Sequence, residues 1–267
     1  GKYEALSKER AKDKTPLTFI NAPNSDDHLL AVGPQGVLMS TARVDPWFSR
    51  KQGKLLRRTQ LETIEWRDAK GAATVVWRGY NAFTYPSVSR DGSRVVLVED
   101  LYGWARSLAV IDKGAKLRRL RVEAKRKLSE PKVSTDGKLV AVIDKDCRSC
   151  PRELAVIDLT SGKERYRIGK SDATRIGSFT WLDGERLLVA VTAAVGGRFH
   201  DDAASSSEKL WSIDVTTSKR VALAEATAGA SLGELAASFD GKRCAVGLWG
   251  RDVIALVDIA TGEVAPH

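Results

Sequence analysis

The residues of this 267-residue chain that could perform acid–base or metal chemistry are few. The best group is His200-Asp201-Asp202, in which an imidazole and two carboxylates could bind a cation or move a proton. The other histidines, His28 and His267, are not paired in the sequence with a plausible nucleophile. Adjacent loop residues of this kind are usually solvated. They are weak metal candidates, and the sequence predicts no catalytic residue, no cofactor and no enzyme activity.

Cys147 and Cys150 form a C-x-x-C pair. A structural zinc site would need a second pair of Cys or His, and the chain offers only Cys244, which lies in an apolar run and is expected in the core. A thioredoxin-type site would need a β-α-β context and a helix N-terminus. We therefore expect a disulfide between Cys147 and Cys150 if the protein is exported, and two free thiols if it is cytosolic.

Aromatic and arginine residues form the other distinctive set, and they fall in irregular segments. Rigid rings and guanidinium groups are typical of protein-interface hot spots, where arginine forks bind carboxylates. Roughly half of the rings are expected to cover the edges of the fold instead. The predicted partner-binding residues are Trp47, Phe48, Arg50, Arg57, Arg58, Tyr102, Trp104, Arg106, Trp249 and Arg251.

A repeat marks the elements that must position these segments. Asp-Gly recurs at Asp91, Asp136, Asp183 and Asp240, each followed by an apolar run. Asp-Gly between apolar runs is a strong hairpin signal, because a tight turn needs a positive φ. A second set of aspartates, each preceded by Ile or Val, closes a later apolar run: Asp112, Asp158, Asp214 and Asp258. Four strands per repeat, which we label a to d, at roughly 40 to 50 residues predict a β-propeller blade.

A fifth, less regular copy comes first, with Pro34-Gln35-Gly36 at its first turn and Ile64-Glu65 at the end of strand c. The predicted fold class is therefore all-β. It is a β-propeller of four-stranded antiparallel blades, with five blades expected and six as the alternative.

One domain is expected over residues 16–267, because an all-β domain of this length is normally a single unit. Residues 1–15 are predicted to be a charged tail or a short helix. Leu17–Asn21 is expected either to close the last blade or to form a surface arm. The predicted blades span about 28–79, 80–122, 126–169, 172–225 and 230–267.

Two of the repeats carry a family resemblance. The segments PSVSRDGSRVV from Pro86 and PKVSTDGKLVA from Pro131, each followed by LAVID, resemble the TolB-like β-propeller repeat, a relative of the WD-type propellers. The resemblance covers about Tyr80 to Val264 and implies a propeller. It implies little about activity, because such repeats serve envelope scaffolds, peptidase gates and enzyme accessory domains. The chain departs from the family in having five recognisable units, where TolB-like proteins have six, and in lacking the usual Pro after Ser in the first turn.

In a four-stranded meander, successive connections lie at opposite ends of the sheet. The a–b and c–d turns therefore share one face (the a–b/c–d face), and the b–c and d–a connections share the other (the b–c/d–a face). Short Asp-Gly turns usually serve chain geometry alone. The long b–c connections of the first and fourth repeats and the aromatic–arginine segments fall on the b–c/d–a face, which we predict to be the binding face.

The strands a are rich in hydroxyl groups, as in Ser87-Val88-Ser89 and Ser178-Phe179-Thr180, so the space between them is expected to be small and filled with water. The net charge of +9 and the pI near 9.5 favour a partner with an acidic surface. Nucleic acid is disfavoured, because Lys and Arg are spread over strands as well as loops and no nucleic-acid motif is present. No apolar run approaches the roughly 20 residues needed to cross a bilayer, and the N-terminus lacks a signal-peptide core, although a leader could have been removed.

The predicted function is a non-enzymatic β-propeller scaffold that binds a protein partner through the b–c/d–a face. The TolB-like resemblance implies the bacterial cell envelope or periplasm, with the cytoplasm as the alternative. Alternative functions are an accessory propeller domain of a larger enzyme or signalling protein, a polyanion-binding module, and a metal-dependent enzyme that uses the His200 loop. The oligomeric state stays open.

Overall fold

The structure is a computed structural model in which twenty β-strands, and no helix, lie within the described residues. The described residues are 27–33, 36–44, 60–79, 82–101, 105–112, 114–123, 127–145, 152–169, 174–193, 208–226, 231–238, 240–249 and 253–266. None of this part of the chain forms a helix that could span a membrane. The chain divides into two compact units, Gly1–Tyr80 and Asn81–His267.

The first unit contains one antiparallel sheet in sequential order. In its two central strands, Leu38 and Ile64 are fully buried, and Met39 and Trp66 are nearly so. Its strands are β1 (Asp27–Gly33), β2 (Gly36–Val44), β3 (Gln60–Arg67) and β4 (Ala73–Gly79).

The second unit contains four more sheets of the same order. The strands of the first are β5 (Ala82–Val88), β6 (Arg94–Leu101), β7 (Ala105–Asp112) and β8 (Arg118–Glu123). Those of the next are β9 (Lys127–Val133), β10 (Leu139–Lys145), β11 (Glu153–Asp158) and β12 (Glu164–Ile168). The last eight are β13 (Thr174–Trp181), β14 (Arg186–Ala193), β15 (Glu208–Asp214), β16 (Arg220–Glu225), β17 (Ser231–Ala237), β18 (Arg243–Trp249), β19 (Val253–Asp258) and β20 (Val264–Pro266).

The described strands thus form five four-stranded antiparallel sheets, which confirms the predicted all-β propeller with five blades. In chain order we call these sheets blades 1 to 5. The strand β20 pairs with β19 as the fourth strand of blade 5. Leu17–Asn21 lies outside the described residues, so its pairing stays a prediction.

Apolar layers join neighbouring blades of the second unit. Val95–Val98 of β6 are fully buried, as expected for a strand covered on both faces. Leu108 and Val110 pack in one cluster with Val140 and Val142 of blade 3. Similar clusters join blade 3 to blade 4 and blade 4 to blade 5. The last of these contains Cys244, which is buried in the core, as predicted. Its thiol is free, and burial raises its pKa to about 11.

Hydrogen bonds also link the first strands of these blades sideways. The backbone N–H of Val133 donates to Ser87 Oγ (2.9 Å), and Trp181 Nε1 donates to the carbonyl oxygen of Lys132 (2.7 Å). The N–H of Leu235 donates to Ser178 Oγ (3.2 Å). Each link joins a side chain of one blade to a main-chain group of the next. Blades 2 to 5 are therefore fixed to one another near their inner strands as well as through their cores.

Each inner strand of the second unit contains a β-bulge. In β5 and β9 the bulge includes a residue of positive φ directly before a proline: Tyr85 (φ 54°) and Glu130 (φ 53°). Proline disfavours helical conformations in the residue before it, and a left-handed non-glycine residue is itself strained. Bulges of this kind bend a strand and redirect its side chains.

Candidate functional site

The two faces of the second unit are defined by contacts between its turns. The a–b turns of neighbouring blades are in close contact, since a Cβ added to Gly184 would lie 2.9 Å from Asp136 Cγ. A Cβ on Gly241 would lie 2.9 Å from the carbonyl oxygen of Leu182. Because strands alternate in direction within each sheet, the b–c connections of blades 2 to 5 lie at the opposite ends of these strands.

The carboxylates of the a–b/c–d face are engaged by their own turns. Asp91 accepts hydrogen bonds from Ser89 Oγ (2.6 Å) and Ser93 Oγ (2.7 Å), and Asp136 accepts one from Ser134 Oγ (2.7 Å). In the c–d turn of blade 3, Asp158 accepts the backbone N–H groups of Thr160 and Ser161. These side chains stabilise chain reversals, as the sequence predicted for this face.

These hydrogen bonds stabilise the charged form of the carboxylates. Those from Ser89 and Ser93 lower the pKa of Asp91 to about 2. The backbone N–H of Ser161, together with smaller contributions, lowers the pKa of Asp158 to about 2. A carboxylate with a depressed pKa stabilises the fold above its unfolded-state pKa, and this contribution is lost as the pH falls through the folded-state value.

Replacing Asp91 with alanine is expected to lower the free energy of unfolding by about 1 kcal/mol at neutral pH, because the turn loses its acceptor. Between about pH 4 and about pH 2 the variant should lose less further stability than the wild type, since one depressed carboxylate is gone. Urea unfolding at several pH values measures both effects. The control is Glu185→Ala, at an exposed position in the a–b turn of blade 4. Equal acid sensitivity of the wild type and Asp91→Ala would contradict the prediction.

Most of the predicted partner-binding residues lie outside the described residues, in connections whose flanking strands are defined. Arg106 lies in β7, opposite Asp100, and Trp249 ends β18, opposite Ser231. The others are Trp47, Phe48, Arg50, Arg57 and Arg58 between β2 and β3, Tyr102 and Trp104 between β6 and β7, and Arg251 between β18 and β19. Their grouping into one site stays a prediction.

The other sequence candidates also lie outside the described residues. His200, Asp201 and Asp202 belong to the connection between β14 and β15, and Cys147 and Cys150 belong to that between β10 and β11. The weak metal site and the disulfide therefore stay predictions. Within the described residues, no group of three or more His, Cys, Asp or Glu side chains is placed to hold a metal ion.

Near the b–c/d–a face of blade 2, the structure reveals a buried carboxylate that is paired with an exposed arginine. Glu99 is fully buried two residues before the end of β6, and both of its carboxylate oxygens accept hydrogen bonds from Arg119 (2.6 Å each). Ser107 Oγ donates a further bond to Glu99 (2.8 Å). Hydrogen bonding to Glu99 raises the pKa of Arg119. This pair ties three strands together beside the Tyr102–Trp104 connection.

Blade 3 repeats this arrangement with more carboxylates. Arg167 binds Asp144 (2.9 Å), Glu153 (2.6 Å) and Glu164 (2.6 Å), and Asp144 is fully buried. Arg152, directly before β11, binds Glu130 in the bulge of β9 (2.6 Å). At its b–c end, blade 3 is therefore cross-linked by ion pairs between residues that lie in or next to its four strands.

In blade 4 a carboxylate at the same end bridges two sheets. Glu208, the first residue of β15, accepts a hydrogen bond from Thr192 Oγ1 (3.0 Å) and another from the backbone N–H of Leu232 in blade 5. Sequence reasoning missed the roles of Glu99, Asp144 and Glu208, because acidic residues near the ends of strands resemble ordinary surface residues. A signal was present in the spacing, since Glu99 follows four consecutive apolar residues of strand b and Asp144 follows five.

Comparisons with known proteins concern the fold. No protein-family model matches the sequence, and no curated protein matches it. Among solved structures, the chain is similar to TolB from Acinetobacter baumannii, with 16% identity and a TM-score of 0.50 over 90% of this chain and 67% of that one. The fold is that of a TolB-like β-propeller. The resemblance predicted from the repeats is thereby confirmed for the fold.

Two further structures are similar to the chain. One is an oligogalacturonate lyase in complex with manganese, with 15% identity and a TM-score of 0.57 over 77% of this chain. The other is a putative TolB from Agrobacterium tumefaciens, with 18% identity and a TM-score of 0.49 over 73% of this chain. The chain spans 60% and 65% of the length of these two proteins. The structures similar to this chain thus include an enzyme as well as a TolB protein.

Proposed function

We propose that this chain is a non-enzymatic β-propeller domain that binds an acidic protein partner through the b–c/d–a face of its second unit. The observation that carries the proposal is the register of β6 and β7, in which Leu101 pairs with Ala105. Only three residues, Tyr102–Trp104, then connect two buried strands, and Arg106 is the second residue of the strand that follows. Two aromatic residues of a short connection are thus followed closely by an arginine on a rigid strand.

The buried carboxylate of Glu99, paired with Arg119 near this connection, supports the same proposal. Arg119 of β8 and Ser107 of β7 both bind Glu99 of β6, so little strand motion has to be suppressed when a partner binds. A pre-organised surface loses less conformational entropy on association. Aromatic and arginine side chains on such a support are the usual anchors of a protein interface.

Charge supports an acidic partner. The chain carries a net charge of +9, and half of the ten predicted partner-binding residues are arginines. Electrostatic complementarity accelerates association and weakens as salt is added. We propose the bacterial cell envelope as the location because of the TolB-like repeat. An accessory role within a larger enzyme or signalling protein would use the same surface.

The test is a binding measurement with Trp104→Ala and Arg106→Glu. Partners are captured on the immobilised full chain from envelope and cytosolic fractions of the source organism, identified, purified and titrated. We expect the double variant to weaken binding at least about tenfold, since hot-spot residues commonly contribute this much. The matched control is Lys163→Glu, which changes the charge of an exposed residue at the c–d turn of blade 3 and should leave the affinity within about twofold.

Other outcomes separate the alternatives. Undiminished binding by the double variant would overturn the proposed surface. Capture of heparin or single-stranded DNA with steep salt dependence, and of no protein, would favour the polyanion-binding module. Turnover of oligogalacturonate in the presence of manganese, lost in His200→Ala, would favour the metal-dependent enzyme. The connection between β2 and β3 of the first unit is tested separately with Trp47→Ala and with Arg57→Glu plus Arg58→Glu.

A further inference from the structure

The first strands of blades 2 to 5 and their a–b turns line an open cavity of about 580 Å³ in the second unit. The sequence suggested a small, hydroxyl-lined space, but this cavity has the volume of a ligand site. Its wall contains two cationic side chains, Lys132 and Arg90, in addition to the hydroxyl groups of Ser87, Thr135 and Thr180. The lining residues occupy the ends of the inner strands nearest the a–b turns. The cavity is therefore separate from the proposed partner-binding face.

Lys132 is the central feature of the cavity. Its side chain is only 32% exposed, and its amine lies 5.4 Å from the centre of the Phe179 ring. Among the described residues, the one carboxylate within 4 Å is that of Glu234, at 4.0 Å, and Glu234 is itself 86% exposed. This distance is too long for a hydrogen bond. Lys132 is thus a partly desolvated cation with a weak counterion.

Desolvation of an ammonium group is unfavourable unless a partner compensates for it. Burial lowers the pKa of Lys132, while the nearby charges of Glu234 and Glu130 act in the opposite direction. A ligand carboxylate in the cavity would supply the close anion that the fold does not. Its binding would be favourable because part of the desolvation of Lys132 is already complete in the folded protein.

The remaining wall indicates what the rest of the ligand is. Pro86, Pro131 and Val133 give the cavity apolar surface that a carbon skeleton can contact and that an inorganic anion cannot use. Ser87 Oγ accepts the N–H of Val133, which leaves its hydroxyl hydrogen for a ligand oxygen. The bulges at Tyr85-Pro86 and Glu130-Pro131 fix this part of two walls in place.

We propose that this cavity binds a small organic carboxylate, with Lys132 as the counterion of the carboxylate group and Arg90 as a second positive charge in the wall. Hydroxyl groups and apolar side chains contact the remainder of the ligand. Polar groups that converge in an apolar pocket are the usual composition of a small-molecule site. The inference does not depend on the proposed partner.

The test uses the full chain and a pair of probes that differ in charge, D-glucuronate and D-glucose, with succinate and citrate as further carboxylates. Isothermal titration should detect binding of at least one carboxylate in the millimolar range or tighter, and weaker or no binding of glucose. Lys132→Met should weaken carboxylate binding at least about tenfold, because a charge-assisted contact is lost. Lys163→Met, which removes an exposed lysine, should leave the affinity unchanged.

Glu234→Gln supplies a measurement that a purely structural role of Lys132 would not affect. This change removes the competing carboxylate, so the affinity for the anionic probe should rise about two- to threefold. It also decides the question if Lys132→Met does not fold. Failure of all three carboxylates to bind, equal binding of glucose and glucuronate, tighter binding of inorganic phosphate, or an unchanged affinity in Glu234→Gln would overturn the proposal. Trp104→Ala should leave carboxylate binding unchanged, which separates this test from that of the partner-binding surface.

Discussion

Replacing Arg167 with methionine is expected to lower the free energy of unfolding by about 3 to 5 kcal/mol, since it breaks a buried ion pair by removing one partner. Arg167 contacts three carboxylates, of which Asp144 is fully buried and Glu153 nearly so. Methionine keeps most of the side-chain volume but removes the guanidinium that neutralises these acids. Hydrogen bonding to Glu164 and Asp144 raises the pKa of Arg167, so the wild-type residue is charged throughout the pH range of the experiment. Urea unfolding at neutral pH measures the loss.

The matched control for this prediction lies two residues away. Arg165 is 61% exposed and pairs with Asp158 at 3.1 Å, so Arg165→Met should cost at most about 1 kcal/mol, as surface pairs usually do. The double variant Arg167→Met with Asp144→Leu should recover part of the stability, because the buried charge is removed together with its partner. A loss below about 1 kcal/mol in Arg167→Met would show that water or another cation replaces the guanidinium.

Phe179→Ala is expected to cost about 3 to 5 kcal/mol, the range for a large aromatic residue removed from a packed core. Phe179 is 1% exposed and belongs to the cluster that joins blade 3 to blade 4, with Tyr166, Trp181 and Val189. The deletion leaves a void between two sheets that are also held by the Trp181–Lys132 hydrogen bond, so neither sheet is free to close it.

Two further variants show whether this loss arises from packing. Phe179→Leu keeps most of the apolar volume and should cost clearly less than alanine. Val221→Ala, at a position 45% exposed on β16, should change the free energy of unfolding by at most about 0.5 kcal/mol. Thermal and urea unfolding followed by circular dichroism give both comparisons. A cost for Phe179→Ala similar to that of Val221→Ala would contradict the proposed coupling of blades 3 and 4.

The fold was predictable because its signals are local. Asp-Gly predicted turns with a positive φ, and Gly92, Gly137 and Gly241 have φ values of 68°, 72° and 68°. The turn at Gly184 is one residue shorter than these three turns and does not need a positive φ. It is closed by a hydrogen bond from the backbone N–H of Leu182 to the carbonyl oxygen of Arg186. Continuous apolar runs likewise predicted strands buried on both faces. Neighbouring residues in the chain determine each of these features.

The charged contacts were not predictable in the same way. Glu99 and Arg119 are 20 residues apart, and Asp144 and Arg167 are 23 apart, so their pairing depends on the register of three strands. Lys132 follows a proline in an inner strand, and only the position of its neighbours shows that it lines a cavity. The aromatic–arginine connections have no periodicity from which a conformation could be inferred. Their role depends on the partner as much as on the fold.

The sideways links between inner strands bear on how such a chain can evolve. Each link pairs one side chain, such as Ser87 or Ser178, with an amide group that every blade possesses. A duplicated blade inserted into the array would therefore find a compatible acceptor or donor on either side without any compensating substitution there. Gain or loss of a whole repeat would accordingly preserve the pattern of these links, whereas residues inserted within an inner strand would shift its register.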